Sequence, residues 1–147
     1  MTTMNKFLAS LTTLLFSLPV LAVELGKVTP DQLLDMQKRD KALVIDIRTP
    51  PEWQSTGLIS DSYKIQGLDT EGNFDQDKWL TELKKIRTSP DQPIVLVCRS
   101  GNRSEKVGDI LTQKLGMSHV YHLTGGIQTW FNSGRPLTPN CLTVACK

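Results

Sequence analysis

An α/β domain, a mostly parallel central sheet flanked by helices, is the fold class this sequence predicts. Short apolar, partly β-branched runs at residues 42–47, 93–98 and 119–123 read as strands buried on both faces, as parallel strands usually are. Segments of helical period alternate with them through short connections, the arrangement a parallel sheet requires. Such sheets hold ligands at the carboxyl ends of their strands, and Arg48 and Cys98 both fall at such ends.

The elements follow in order. Thr29-Pro30-Asp31-Gln32 offers an N-cap residue, a proline at the first helical position and a glutamine at the capping-box position. A helix carrying Leu33, Leu34 and Met36 begins there. The strand at 42–47 ends in Asp46-Ile47-Arg48, and Thr49-Pro50-Pro51-Glu52-Trp53 turns into a short helix closed by Gly57. Trp79, Leu80, Leu83 and Ile86 recur at helical spacing and mark a face turned to the core. Ser89-Pro90-Asp91 is a turn into the central strand at 93–98. Val107, Ile110, Leu111 and Leu115 line the next helix, which Gly116 ends. After the strand at 119–123, Gly125-Gly126 opens a last helix with Ile127 and Trp130. The chain shows no internal repeat.

The first residues read as an export signal, residues 1–22. Lys6 gives the basic region, Phe7 to Leu21 is largely apolar, and Val20-Leu21-Ala22 offers small residues for cleavage after Ala22. As a membrane anchor the stretch is short and diluted by Ser10, Thr12, Thr13 and Ser17. The expected product is one domain at residues 23–140 with a tail at 141–147, periplasmic or secreted, and free of the membrane once the signal is removed. The formal charge of +2 is scattered, with Lys84-Lys85 on a solvated helix face, so nucleic acid is not an expected partner. Three cysteines leave one over if two pair. Cys141 and Cys146 are the disulfide candidates, provided the tail turns; two unpaired tail thiols are the alternative. His119 and His122, three apart on a strand, should point to opposite faces and make a poor metal pair. No metal and no cofactor are expected.

The chemistry-bearing run is Cys98-Arg99-Ser100-Gly101-Asn102-Arg103-Ser104, between the apolar strand and a helix start. A thiolate is stabilised by free N–H groups at a helix N-terminus and by neighbouring guanidinium groups. Gly101 permits a turn tight enough for several N–H groups to converge on one point, an anion-holding nest. Cys98 is therefore the candidate nucleophile; the plainer alternative is a buried structural cysteine.

The chain resembles a single-domain rhodanese, a thiosulfate sulfurtransferase-type protein. Three segments carry the resemblance: Asp46 to Trp53, Cys98 to Ser104, and Leu123-Thr124-Gly125-Gly126-Ile127 through Trp130, Gly134 and Pro136. They stand in the family's order and span residues 26–137. One departure is Gly57-Leu58-Ile59-Ser60-Asp61-Ser62, where the family usually has a Gly-His-Ile-Pro-Gly-Ala type segment.

The resemblance implies a double displacement in which Cys98 takes the outer sulfur of thiosulfate as a persulfide, and cyanide or a thiol then removes it. Backbone N–H groups from Arg99 to Ser104 would cradle donor and persulfide. Arg99 either steers the donor or is an ordinary exposed arginine. Arg103 would anchor the loop or the following helix against a carboxylate. Ser100 and Ser104 would hydrogen-bond the sulfur, although Ser104 serves equally as a cap. Asp46 and Arg48 would brace the loop from the adjacent strand end, with Arg48 near the donor and Glu52 as its ion partner; a purely structural role is the alternative. Trp53 walls the pocket or simply packs.

Two rival readings stand. A cysteine-based phosphatase or arsenate reductase uses a related but longer loop, whereas four residues separate Cys98 from Arg103 here. A periplasmic carrier or binding module would hold persulfide sulfur on Cys98 for a partner with little turnover.

Overall fold

The computed structural model describes residues 22–139, so residues 1–21 and the tail cysteines Cys141 and Cys146 lie outside the described residues. Five strands form one parallel sheet: β1 (Gly26–Val28), β2 (Leu43–Asp46), β3 (Tyr63–Lys64), β4 (Ile94–Val97) and β5 (Val120–Leu123), in the order β1-β5-β4-β2-β3. The three apolar runs became β2, β4 and β5, each slightly shorter than its run. β1 and β3 were not legible, because three and two residues without an apolar run carry no pattern. Their pairing with β5 and β2 creates them.

Helices α1 (Pro30–Arg39), α2 (Pro50–Thr56), α3 (Gln76–Ile86), α4 (Asn102–Asp109) and α5 (Gly126–Asn132) cover both faces. α1 starts on the expected capping box: the Thr29 hydroxyl accepts the Gln32 amide at 3.3 Å, and Gln32 Oε1 accepts the Thr29 amide at 2.9 Å. Gly57 closes α2 at φ +81°. The helix expected to run unbroken to Gly116 departs from α geometry, because α4 passes into a π-helical turn over Ile110–Lys114. There the Thr112 hydroxyl donates to the Gly108 carbonyl at 3.0 Å, a side-chain bond that competes with the backbone ladder.

The two-residue period of each strand divides the core. Leu43, Ile45 and Ile47, with Ile94, Leu96 and Cys98, face Trp79 and Leu83 of α3 and Val107 of α4. Val44, Val95 and Val97 face Leu33 of α1 and Ile127 and Trp130 of α5. Burying a side chain such as Leu33, which is 0% exposed, contributes about 2 kcal/mol. After α5 the chain returns across the α1 side: Trp130 Nε1 donates to the Pro136 carbonyl at 3.0 Å, and Arg135 pairs with Asp31. Leu58 and Thr138 then exchange backbone hydrogen bonds, each of 2.8 Å.

This topology brings the carboxyl ends of β2 and β4 side by side, with Asp46 registered on Val97. Residues Arg48 and Cys98 leave the sheet there.

Candidate active site

Cys98 follows β4 directly and keeps the parity of Ile94 and Leu96, so its side chain points to the α4 side, where it is fully buried. Gly101, at φ +98°, turns the chain into α4. The Gly101 amide reaches Cys98 Sγ at 3.1 Å and the Ser104 amide at 3.3 Å, while Ser104 Oγ lies 3.4 Å from the same sulfur. Two backbone dipoles and a hydroxyl thus converge on one atom at the N-terminus of α4, an arrangement that favours negative charge on it.

The convergence is narrower than the sequence suggested. Among the described residues, the amides on Sγ are those of Gly101 and Ser104, not the whole run from Arg99. Arg99, Ser100 and Asn102 are exposed, and Ser100 makes no hydrogen bond to the sulfur.

The loop is held from behind by α5. The Ile127 amide donates to the Cys98 carbonyl at 2.8 Å and the Gln128 amide to the Arg99 carbonyl at 3.2 Å. These bonds fix the Cys98 and Arg99 carbonyls, and with them the course of the loop that carries the Gly101 amide to the sulfur. Gly126 permits the approach: at φ +62°, a Cβ there would stand 2.5 Å from the Cys98 carbonyl oxygen.

From the front, Arg103 clasps Glu52 through two hydrogen bonds, Nη1 to Oε2 at 2.9 Å and Nη2 to Oε1 at 2.5 Å. The Glu52 carboxylate also accepts the Thr49 amide at 3.0 Å, tying the start of α2 to the start of α4. The Arg103 guanidinium is the main reason that the Glu52 carboxyl is held at about 2. Arg103 thus anchors against a carboxylate, as expected, but the expected pairing of Glu52 with Arg48 is incorrect.

Arg48 pairs with Asp46. Its Nε lies 2.9 Å and its Nη2 2.8 Å from the Asp46 oxygens, and Nη1 and Nη2 also donate to Thr56 Oγ1 at 2.7 Å and the Gly57 carbonyl at 2.8 Å. Trp53 Nε1 completes Asp46 at 3.0 Å. Both charged side chains are essentially inaccessible, at 1% and 2% exposed, and four of the five guanidinium N–H groups of Arg48 are engaged within the protein, so Arg48 braces the strand end and the close of α2. Trp53 packs and donates there. In the Gly57–Ser62 segment, the Gly57 carbonyl holds Arg48 and the Leu58 backbone bridges to Thr138.

Outside the loop, a groove opens between α2 and α5, lined by Arg99, Glu52, Ser55, Gln128, Phe131 and Asn132 among others. Phe131 is 67% exposed.

Sequence reasoning missed His122. It set aside both histidines as opposite-facing strand residues, but His119 precedes β5 at φ +59° and only His122 lies on the strand. His122 is registered on Leu96 and is 3% exposed, with Nδ1 3.4 Å from Ser104 Oγ. The signal was parity: two residues beyond Leu96 on the same face is Cys98.

Residues 29–133 match the rhodanese-like domain. The chain belongs to the rhodanese-like family. This rhodanese-like domain is 31% identical over 108 residues to the thiosulfate sulfurtransferase GlpE of Pseudomonas putida, which covers 73% of this chain and 86% of that relative. A protein named sulfurtransferase from Allochromatium vinosum is 31% identical over 98 residues, 67% of this chain and 79% of the relative. The crystal structure of a rhodanese-related protein from Thermoplasma volcanium matches with a TM-score of 0.57 at 25% identity, covering 78% of this chain and 99% of that one. Family and relatives together support sulfur transfer as the general chemistry of this rhodanese-like domain.

Proposed function

We propose that the protein is a sulfurtransferase that moves the outer sulfur of thiosulfate to cyanide or a thiol through a persulfide on Cys98. The observation that supports this reading is the pair of amides, Gly101 at 3.1 Å and Ser104 at 3.3 Å, aimed at one buried cysteine sulfur. Thiolate and persulfide are both anionic, and fixed dipoles serve both without reorganising.

In the first step the Cys98 thiolate attacks the outer sulfur of thiosulfate. A new S–S bond forms, the bond to the sulfonate sulfur breaks, and its electron pair leaves on sulfite. In the second, cyanide or a thiolate attacks the terminal sulfur of the persulfide, and the electron pair returns to Cys98. Arg99, exposed beside the loop, is the cation placed to attract a dianionic donor. The half-reactions share one covalent intermediate, so ping-pong kinetics are expected.

The test is intact-protein mass after incubation with thiosulfate, paired with thiocyanate formation on adding cyanide. A cyanide-labile gain of one sulfur on Cys98 with repeated turnover is the expected result. No gain of sulfur would overturn the proposal, and phosphate release from an aryl phosphate would transfer the loop to the phosphatase reading.

A carrier that hands its persulfide to a partner protein has one observation in its favour: Phe131 and Arg99 share the groove beside the loop, and aromatic and arginine side chains are enriched at interface cores. Sulfur gain without turnover on small acceptors would select it. Export belongs to the same proposal, with an N-terminal sequence of the mature protein beginning at Val23 as its check.

A further inference from the structure

The groove beside the loop is larger than thiosulfate or cyanide requires. It encloses about 890 Å³ between α2 and α5, a volume that suits an organic molecule of some size, whereas either small anion would leave most of it empty. The charges along it are unevenly spent. Its carboxylate, Glu52, is clasped by Arg103, and its inner guanidinium, Arg48, is closed on Asp46. Arg99 is exposed and forms no hydrogen bond or ion pair among the described residues. One uncompensated positive charge therefore stands in the groove, on the residue next to Cys98.

The other wall is one face of α5. Gln128, Phe131 and Asn132 follow the i, i+3, i+4 spacing that puts side chains on a common helix face, and all three are exposed. Neither the Gln128 nor the Asn132 carboxamide makes a side-chain hydrogen bond among the described residues. A carboxamide offers both an N–H donor and a carbonyl acceptor, the complement of a peptide unit. Phe131 adds an apolar platform, and a guanidinium binds a carboxylate through two parallel N–H groups. Resting on the reading of Cys98 as a persulfide carrier, we infer that this groove is the acceptor site and that its occupant is a small peptide thiol with a free carboxylate. The carboxylate sits on Arg99, and the peptide units on Gln128 and Asn132.

The acceptor thiol gives its proton to water, and its thiolate attacks the terminal sulfur of the persulfide. A new S–S bond forms, the bond to Cys98 Sγ breaks, and that electron pair returns to Cys98 while the acceptor leaves as a peptide persulfide. Arg99 serves the two half-reactions in turn, drawing the dianionic donor first and the acceptor carboxylate second. Sulfite departs before the acceptor arrives, so the two demands on one guanidinium never coincide.

The test loads Cys98 with sulfur from thiosulfate and follows, by intact mass, its loss to glutathione, 2-mercaptoethanol and cyanide in separate runs. Glutathione, a peptide thiol with free carboxylates, should show saturation and should outpace 2-mercaptoethanol at equal thiolate concentration. Arg99→Gln should slow removal by glutathione roughly tenfold, as loss of a hydrogen bond to a charged group does. Gln128→Ala combined with Asn132→Ala should also slow it, while removal by cyanide stays at the parent rate. Equal rates for the two thiols overturn the inference, as does a loss toward cyanide as large as that toward glutathione. Sulfur that passes to reduced thioredoxin, a protein dithiol, but not to glutathione overturns it in favour of a protein partner. If no sulfur loads, the sulfur-transfer reading fails by itself, and S-methylglutathione, which has no free thiol, decides the groove. Saturable binding that shifts the side-chain amide NMR signals of Gln128 and Asn132 supports the site, and absence of binding ends it.

Discussion

The Ile127 amide donates to the Cys98 carbonyl at 2.8 Å, so the loop carrying the sulfur hangs from the first turn of α5. The glycine before Ile127 is what lets the two backbones meet. At φ +62°, a side chain on residue 126 would collide with the Cys98 carbonyl and, at 2.6 Å, with the Arg99 carbonyl oxygen. Gly126→Ala is expected to lower stability by roughly 1–3 kcal/mol for the backbone conformation alone, with the collision added. Sulfur transfer should fall more than stability explains, because the displaced carbonyls re-aim the amides. Thermal denaturation beside thiocyanate assays at a temperature where the variant is folded separates the two effects; a folded variant of full activity contradicts the account.

The Glu52–Arg103 clasp makes a pH prediction. Glu52 has a folded pKa of about 2, below its ordinary 4.5, chiefly through its hydrogen bonds from Arg103. A lowered carboxyl stabilises the fold fully above pH 4.5, and that contribution is lost as pH falls toward 2. Glu52→Gln should therefore be less stable than the parent at neutral pH, with the gap closing through this window. Urea midpoints taken at several pH values would show it, and a gap of constant size would refute the linkage.

Asp46 and Arg48 form a closed buried network, so removing one partner should be severe. Asp46→Ala strands the Arg48 guanidinium and Trp53 Nε1 together. The expected loss is about 3–5 kcal/mol, the range for breaking a buried pair. Because neither side chain reaches solvent, KM for thiosulfate should change little in whatever fraction remains folded. A large rise in KM with unchanged stability would instead place Arg48 at the donor.

Cys98→Ser should abolish sulfur gain and transfer while keeping the melting temperature close to that of the parent, since the hydroxyl nearly fills the space of the thiol and meets the same amides. Cys141→Ser combined with Cys146→Ser should leave transfer largely unchanged. A folded but inactive tail variant would replace the direct mechanism with a relay through the tail thiols.

Much of this was legible in the residues because it is local. The capping box at Thr29, the Gly57 closure of α2 and the glycine entry to α5 are conformational statements about neighbours in the chain. The three apolar runs announced β2, β4 and β5 because burial on both faces leaves an unbroken apolar signature. The π-turn over Ile110–Lys114 was not legible, because the apolar spacing from Val107 to Leu115 is the same whether the ladder steps by four or by five.

The sequence by itself determined the α/β class, the place of Cys98 at a strand end before a helix, and the glycine that turns the loop, all of which follow from spacing and backbone freedom. Which charged groups meet was decided only by the tertiary structure. Arg48, two residues from Asp46, closes on it, while Glu52 reaches across 51 positions to Arg103. Strand order did the same for His122: β5 lies against β4, and their register sets the imidazole beside Ser104. The physical reason is that local propensity acts over a few residues, whereas long-range pairs form where a sheet's order and parity bring distant side chains to one face.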